Sequence, residues 1–295
     1  MKGRKYSVCK VLSAVAALML MLPRIALGEF GVCPPYSKTF GPSDAPTEIN
    51  AFIVELNLRP GGGTLFLEPG EYVFPDPVDD MVPITGIVCI QPLHAGSEIL
   101  VDINSDGPSV EAGGMLTLRS VNVQAPYVAA GGTLFAENVS LTWFSSDGVA
   151  YLHGVKNPEV VQNGGTMVWR GGVAREVRNS GWALFNQVWL SGWAHCPNVT
   201  CYDFYPAIAN SGVVTLQRSV ITEDSGPEWQ HGCSDAITNS PGASVYVVGS
   251  TIVGAIINGA GTVEIGQSIV DGDCADVPVT DTGYNVFSRT SCTIT

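Results

Sequence analysis

A glycine followed by a short strand of alternating apolar residues recurs along most of this chain. The copies read Gly63-TLFL, Gly114-MLTL, Gly132-TLFA, Gly165-TMVW, Gly181-WALF, Gly212-VVTL, Gly242-ASVY and Gly261-TVEI. In most of them the second and fourth residues after the glycine are apolar, as with Leu116 and Leu118, Met167 and Trp169, or Val263 and Ile265. A period of two puts alternate side chains on one face of a strand. A second short strand follows each time, marked by Val121 and Val123, Val139 and Leu141, Val188 and Leu190, Val220, Ile252 and Ile269. Small polar pairs between the two (Arg119-Ser120, Glu137-Asn138, Gly249-Ser250, Gln267-Ser268) read as turns. One such unit cannot bury its own apolar face, whereas stacked copies can. The pattern therefore predicts a solenoid of β-coils, all-β apart from its front end.

At that front end Ile49, Phe52, Ile53 and Leu56 follow helical spacing, with Thr47 placed to be the N-cap and Pro60-Gly61 to stop the helix. A helix there would cover the open apolar end and unpaired edge of the first coil. Coil starts at 114, 132, 165, 181, 212, 242 and 261 leave three long steps. These place insertions near 143–158, 192–208 and 223–237, and insertions in repeat proteins collect on the variable face.

The N-terminus changes where the chain is expected to work. Lys2, Arg4, Lys5 and Lys10 precede the apolar run from Val11 to Leu22, and Ala26-Leu27-Gly28 supplies small residues for cleavage. This is the layout of a secretory signal peptide over 1–28. The rival reading is an uncleaved anchor, but the run stops at Pro23 and Arg24, short of the ~20 residues a span needs. No other stretch has spanning length, so the expected mature chain has no transmembrane segment and is secreted, extracellular or held at a cell surface. It keeps nine basic residues against 27 acidic ones, a net −18. Nucleic acid is a poor partner for such a surface. Eight cysteines are present, and Cys9 leaves with the signal. In an exported chain the other seven suggest disulfides, with Cys33–Cys89 and Cys274–Cys292 as the pairs that fit. Cys196 and Cys201 either close their own small loop, leaving Cys233 free, or one of them bridges to Cys233.

Two stretches resemble a known family. The helix leading into GGGTLFLEPGEYVF resembles the opening of right-handed parallel β-helix proteins of the pectin-lyase-like superfamily. The tail, Gly266-QSIVDGDCADVPVTDTGYNVFSRTSC, is similar to the C-terminal segment of choice-of-anchor type surface β-helix proteins. The resemblance covers roughly residues 46–292. It implies one right-handed parallel β-helix over 47–272 with a capping helix, after a lead-in at 29–46. A disulfide-closed tail or cap over 273–295 would follow. Strand–crossover–parallel-strand connections nearly always take that hand.

The three expected insertions share a composition. Trp143, Tyr151 and His153 fall in the first; Trp193, His195, Tyr202 and Tyr205 in the second; Asp224, Trp229, His231 and Asp235 in the third. Rings beside carboxylates suit a sugar site, where aromatic faces stack on pyranoses and polar groups fix hydroxyls. The competing reading is that these rings pack the insertions onto the coil wall, covering outward apolar positions such as Phe135, Trp182 and Leu184. His153, His195 and His231, one per insertion, could form a metal site, since neutral imidazoles bind zinc or copper. The resemblance also implies two chemistries: lyases that use Asp-bound Ca2+ with a basic residue, and hydrolases that use clustered carboxylates. The candidates are Arg170, Arg175 and Arg178 with Asp224 and Asp235, although neither cluster has the family's catalytic spacing. Asn138 and Asn198 head glycosylation sequons. The reading that results is a non-catalytic binding or structural module contacting glycans or a surface protein without a cofactor. The alternative is a polysaccharide lyase, glycoside hydrolase or uronate epimerase, and the third is a bare scaffold.

Overall fold

The computed structural model describes residues 32–74, 81–94, 101–104, 107–195, 203–223, 235–275 and 278–288. The expected signal peptide, Cys196, Cys201, Tyr202, Asp224, Trp229, His231, Cys233, Cys292 and the Asn198 sequon lie outside them.

Apart from one short hairpin, the described strands form one long sheet in which every pairing is parallel, and the only helix among the described residues is α1, Pro46–Leu58. The pairings resolve into three ladders visited in turn by each coil. The first contains the glycine-led strands, from Ser37–Phe40 and Gly63–Leu67 to Thr262–Gly266 and Thr280–Gly283. The second contains the short strands that follow, ending with Val220–Thr222, Thr251–Val253, Ile269–Asp271 and Val286–Phe287. The third runs from Ser109–Val110 through Ile208–Asn210 to Cys274–Ala275. The strands Val149–Asn163 and Thr166–Asn179 bend through two corners and serve all three ladders.

The alternation read from the sequence is the in–out pattern of the first ladder. Leu118, Ala136, Leu152, Trp169, Phe185, Leu216, Val247 and Ile265 are in register, coil upon coil, and all are buried. The neighbouring column has Ala150 and Ala183 on either side of Met167. The small pair makes room for the large Trp169 and Phe185 in the column beside it, so large and small side chains interdigitate there. Burying each Leu, Ile or Val contributes roughly 1.5–3 kcal/mol, and the ladder multiplies that gain coil by coil.

The corners explain the recurring glycines. A Cβ on Gly165, Gly181 or Gly212 would sit 2.1 Å from the carbonyl oxygen of the glycine one coil earlier, so only glycine lets these corners stack. Between the first and second ladders each corner turns on one left-handed residue: Ser120, Asn138, Gln187, Arg218 and Gln267, with Gly154 and Gly171 in the same role.

Two polar stacks fill the corners, and the reading of the sequence missed both. At the third-to-first corner Asn163, Asn179, Asn210, Asn239 and Asn258 lie in register and buried. Each of the first four donates its side-chain Nδ2–H to the Oδ1 of the next, at 2.6, 2.9, 2.8 and 2.9 Å. At the first-to-second corner the hydroxyls of Ser219, Ser250 and Ser268 accept the backbone N–H groups of Val188, Ser219 and Ser250. Buried polar groups are tolerated here because partners repeat with the coil.

Several expectations are corrected. Helix α1 takes Ala45, not Thr47, as its N-cap, because Pro46 suits the first helical turn, where no N–H is needed. Its buried face is Ile49, Phe52, Ile53 and Leu56. The stretch 143–158 is not an insertion but a regular coil: Thr133, Val149 and Thr166 are in register. Its strand begins Gly148-VAYL, where small Ala150 blurs the apolar alternation. The expected Cys33–Cys89 disulfide, by contrast, is present and ties the N-terminal lead-in to the first ladder at the front of the stack. Cys274 is disulfide-bonded as well, to a residue outside the described ones. No helix among the described residues is long and apolar enough to cross a membrane.

Candidate functional site

The other two expected insertions do leave from one place. A two-stranded antiparallel hairpin, Trp193–His195 with Asp203–Tyr205, emerges between the second-ladder strand Trp182–Ser191 and the third-ladder strand Ile208–Asn210. One coil later, residues 223–236 connect Val220–Thr222 to Ile237–Asn239 at the same corner. The hairpin brings Tyr205 to Arg178 on the outer face of the third ladder.

That face carries a groove of about 500 Å³. Its floor is the outward column Ser145, Gln162, Arg178 and Ala209, in register on successive coils. Its far wall is the corner column Asp147, Gly164, Ser180, Ser211 and Ser240. Rungs repeat about every 4.8 Å, so the groove offers hydroxyl, amide and carboxylate groups at regular intervals along the stack. Tyr127 donates its hydroxyl proton to Asp147 Oδ2 at 3.0 Å, which orients that carboxylate at one end. Exposed Trp143 stands on the same ladder, two residues before Ser145.

Arg178 is the cation of the groove floor. Its Nε–H donates to Oε1 of Glu176, whose side chain is 2% exposed against 47% for Arg178. The guanidinium carbon lies 5.6 Å from the centre of the Tyr205 ring on the hairpin. The hydrogen bond to Glu176 raises the Arg178 pKa above its already high ordinary value, so the cation is permanent. Held by a buried acid at one nitrogen, the guanidinium keeps its remaining donors in a fixed fork, a geometry suited to carboxylate, sulfate or paired hydroxyl oxygens. Asp235 stands where the second connection rejoins the third ladder. Burial pushes its carboxyl pKa up, partly offset by the Thr238 hydroxyl, which donates to Oδ2 at 3.4 Å. Thr238 follows Ala209 in the Arg178 column, so Asp235 anchors about two rungs, roughly 10 Å, from Arg178.

The other sequence candidates disperse. Arg170 ends a first-ladder strand beside Asn186, and Arg175 is exposed at the corner before the third ladder. The strand Thr166–Asn179 bends twice between Arg170 and Arg178, so the three arginines face different ways. Tyr151 points outward from the first ladder, stacked on Phe135 with ring centres 5.0 Å apart and planes 9° apart. His153 is on that ladder too, with Nδ1 3.9 Å from Glu137, away from the corner where the hairpin carrying His195 leaves. Of Trp193 and His195 the backbone alone is described. Among the described residues no group of three or more His, Cys, Asp or Glu side chains is placed to hold a metal ion.

Sequence reasoning did not find Gln162 or the serine column. Their signal was the repeated corner itself, Asn163-Gly-Gly, Asn179-Ser-Gly and Asn210-Ser-Gly, which fixes both the buried amide ladder and the hydroxyls facing out beside it. Compared with known proteins, the chain matches no family model, no curated protein and no solved structure.

Proposed function

We propose that this chain is an exported right-handed parallel β-helix that binds glycan in the groove of its third ladder, without catalysis. The three parallel ladders support the fold, since parallel strands joined by crossovers take the right hand in nearly all proteins. The Cys33–Cys89 disulfide supports export, because such bonds persist in oxidising compartments. A Cys274–Cys292 bridge closing the tail completes the architecture. The observation that carries the binding reading is Arg178. It is pinned by buried Glu176, flanked by Tyr205 and open to a groove of hydroxyls and amides. A sugar's hydroxyls and apolar faces match that mixture of polar fork and aromatic ring.

The test is a glycan array followed by calorimetric titration of the best ligand. Arg178→Ala and Trp143→Ala weaken binding at least about tenfold, the usual cost of a charged or aromatic anchor. Trp189→Ala, on another ladder, leaves it unchanged. Equal affinity of Arg178→Ala and the parent protein would remove the groove from the reading. Release of unsaturated or reducing ends from polyuronates or neutral polysaccharides, with or without Ca2+, would replace binding by the lyase or hydrolase alternative.

A further inference from the structure

Asp147 and Arg178 bring opposite charges into one groove without neutralising each other. Each is held by a different partner: Asp147 Oδ2 accepts the Tyr127 hydroxyl proton, and the Arg178 Nε–H goes to buried Glu176. A glycine decides where the acid lies. Gly164 separates Asp147 from Ser180 in the corner column, and a Cβ on it would come within 2.2 Å of Asp147 Oδ1 and 3.7 Å of Ser180 Oγ. The carboxylate therefore lies along the stack over the Gly164 rung, one rung short of the coil that carries Ser180 and Arg178. One rung is about 4.8 Å, close to the length of a single pyranose residue. The groove thus presents a fixed anion and a fixed cation on neighbouring rungs, and both side chains are exposed.

That pair of charges narrows the ligand. A neutral sugar would offer hydroxyls to both groups and neutralise neither. A polyuronate would meet Arg178, but its other carboxylates would face Asp147 and a chain whose formal charge is −13. A polymer of amino sugars would meet Asp147 and set an ammonium against Arg178. Only a ligand with both signs satisfies both groups, and hydrogen bonds between charged partners are roughly twice as strong as neutral ones. We infer that the groove selects a zwitterionic glycan, in which an amino sugar with a free ammonium neighbours a sugar acid. This rests on the glycan reading above and adds the class of sugar to it. The ammonium donates to Asp147 Oδ1, and the carboxylate of the adjoining sugar takes the Arg178 fork. Asp147 is then the residue that sets specificity, through attraction to the right charge and repulsion of the wrong one. The Tyr127 hydroxyl holds its carboxylate in place, and Gly164 leaves the space in which it lies.

Heparosan and hyaluronan oligosaccharides each alternate a uronate with an N-acetylated amino sugar, and N-deacetylation exposes the ammonium while leaving the rest of the chain as it was. Calorimetric titration of both oligosaccharides, before and after deacetylation, tests the inference. The parent protein binds at least one deacetylated form at least about tenfold more tightly than its acetylated counterpart. Asp147→Asn abolishes that preference, whereas Arg178→Ala weakens binding of both forms and keeps it. Gly164→Ala reduces the preference too, because its Cβ needs the place of Asp147 Oδ1 and turns the carboxylate aside. A parent protein that binds both forms of each oligosaccharide alike, or binds neither, overturns the inference. So does a folded Asp147→Asn variant that keeps the preference. The two readings fail separately: a glycan array without any ligand removes both, and a ligand bound without regard to its charge removes only this one.

Discussion

At the scale of single residues, the two ends of the asparagine ladder are unequal. Asn258 is closed off by Gly261, whose N–H donates to its Oδ1 and whose carbonyl accepts from its Nδ2. At the other end the next position is Ser146, whose side chain is too short to pass the amide chain on. The Ser146 hydroxyl and Asn163 Oδ1 are both buried and both lack a hydrogen-bond partner. Ser146→Asn would add one more amide and satisfy Asn163, with an expected gain of about 1 kcal/mol in urea or thermal unfolding. Asn210→Ala, in the middle of the ladder, takes the donor from Asn239 Oδ1 and the side-chain acceptor from Gly212 N–H and Asn179 Nδ2, and costs roughly 2–4 kcal/mol in the same measurement. Asp235 predicts a pH dependence. Its folded pKa is raised by burial, so the folded state favours the protonated form. The resulting cost is absent below the ordinary aspartate pKa of ~3.9 and appears as pH rises through the folded value. Asp235→Asn therefore raises the melting temperature at neutral pH and leaves it nearly unchanged near pH 3.

Elements show why some of this was legible in the sequence and some was not. The glycine-led strands announced themselves because period-two alternation and a steric need for glycine coincide at each coil. Helix α1 was legible for the same kind of reason: Ile49, Phe52, Ile53 and Leu56 form one face, and all four are buried. The coil at Val149 was missed because Ala150, facing bulky Met167, carries little hydrophobic signal. The groove was harder still, since Ser145, Gln162 and Arg178 are far apart in sequence and meet only when coils stack in register. The aromatic candidates illustrate the limit: Tyr151 and Trp143 fall in one sequence stretch yet face outward from different ladders. The lead-in strand Ser37–Phe40 is held by its pairing to Gly63–Leu67 and by the Cys33–Cys89 bridge, which closes a 56-residue separation. Loss of a loop closure that long costs about 4 kcal/mol in the chain-entropy view. Cys33→Ser is thus expected to lower stability by up to that amount, read by denaturant unfolding, with no effect on a groove that begins two coils further along.

At the scale of the whole molecule, each coil contacts chiefly its neighbours, so stability is close to a sum over coils. Removing residues 149–165 deletes one complete turn and joins Gly148 to Thr166, which occupies the register of Val149. The shortened protein should fold with the same circular dichroism signature and a lower melting temperature, whereas removing half a turn should abolish cooperative unfolding. The same deletion takes Gln162 out of the groove floor and should weaken ligand binding.

Helix α1 has a consequence beyond packing. Its apolar side covers the end of the core at the leading coil, so another molecule finds no bare apolar end on which to continue the stack. A chain stripped of Pro46–Leu58 would bare that end to its neighbours, and the regularity that lets coil follow coil would then let molecule follow molecule. The plug is what makes this a finite object rather than the seed of a fibre.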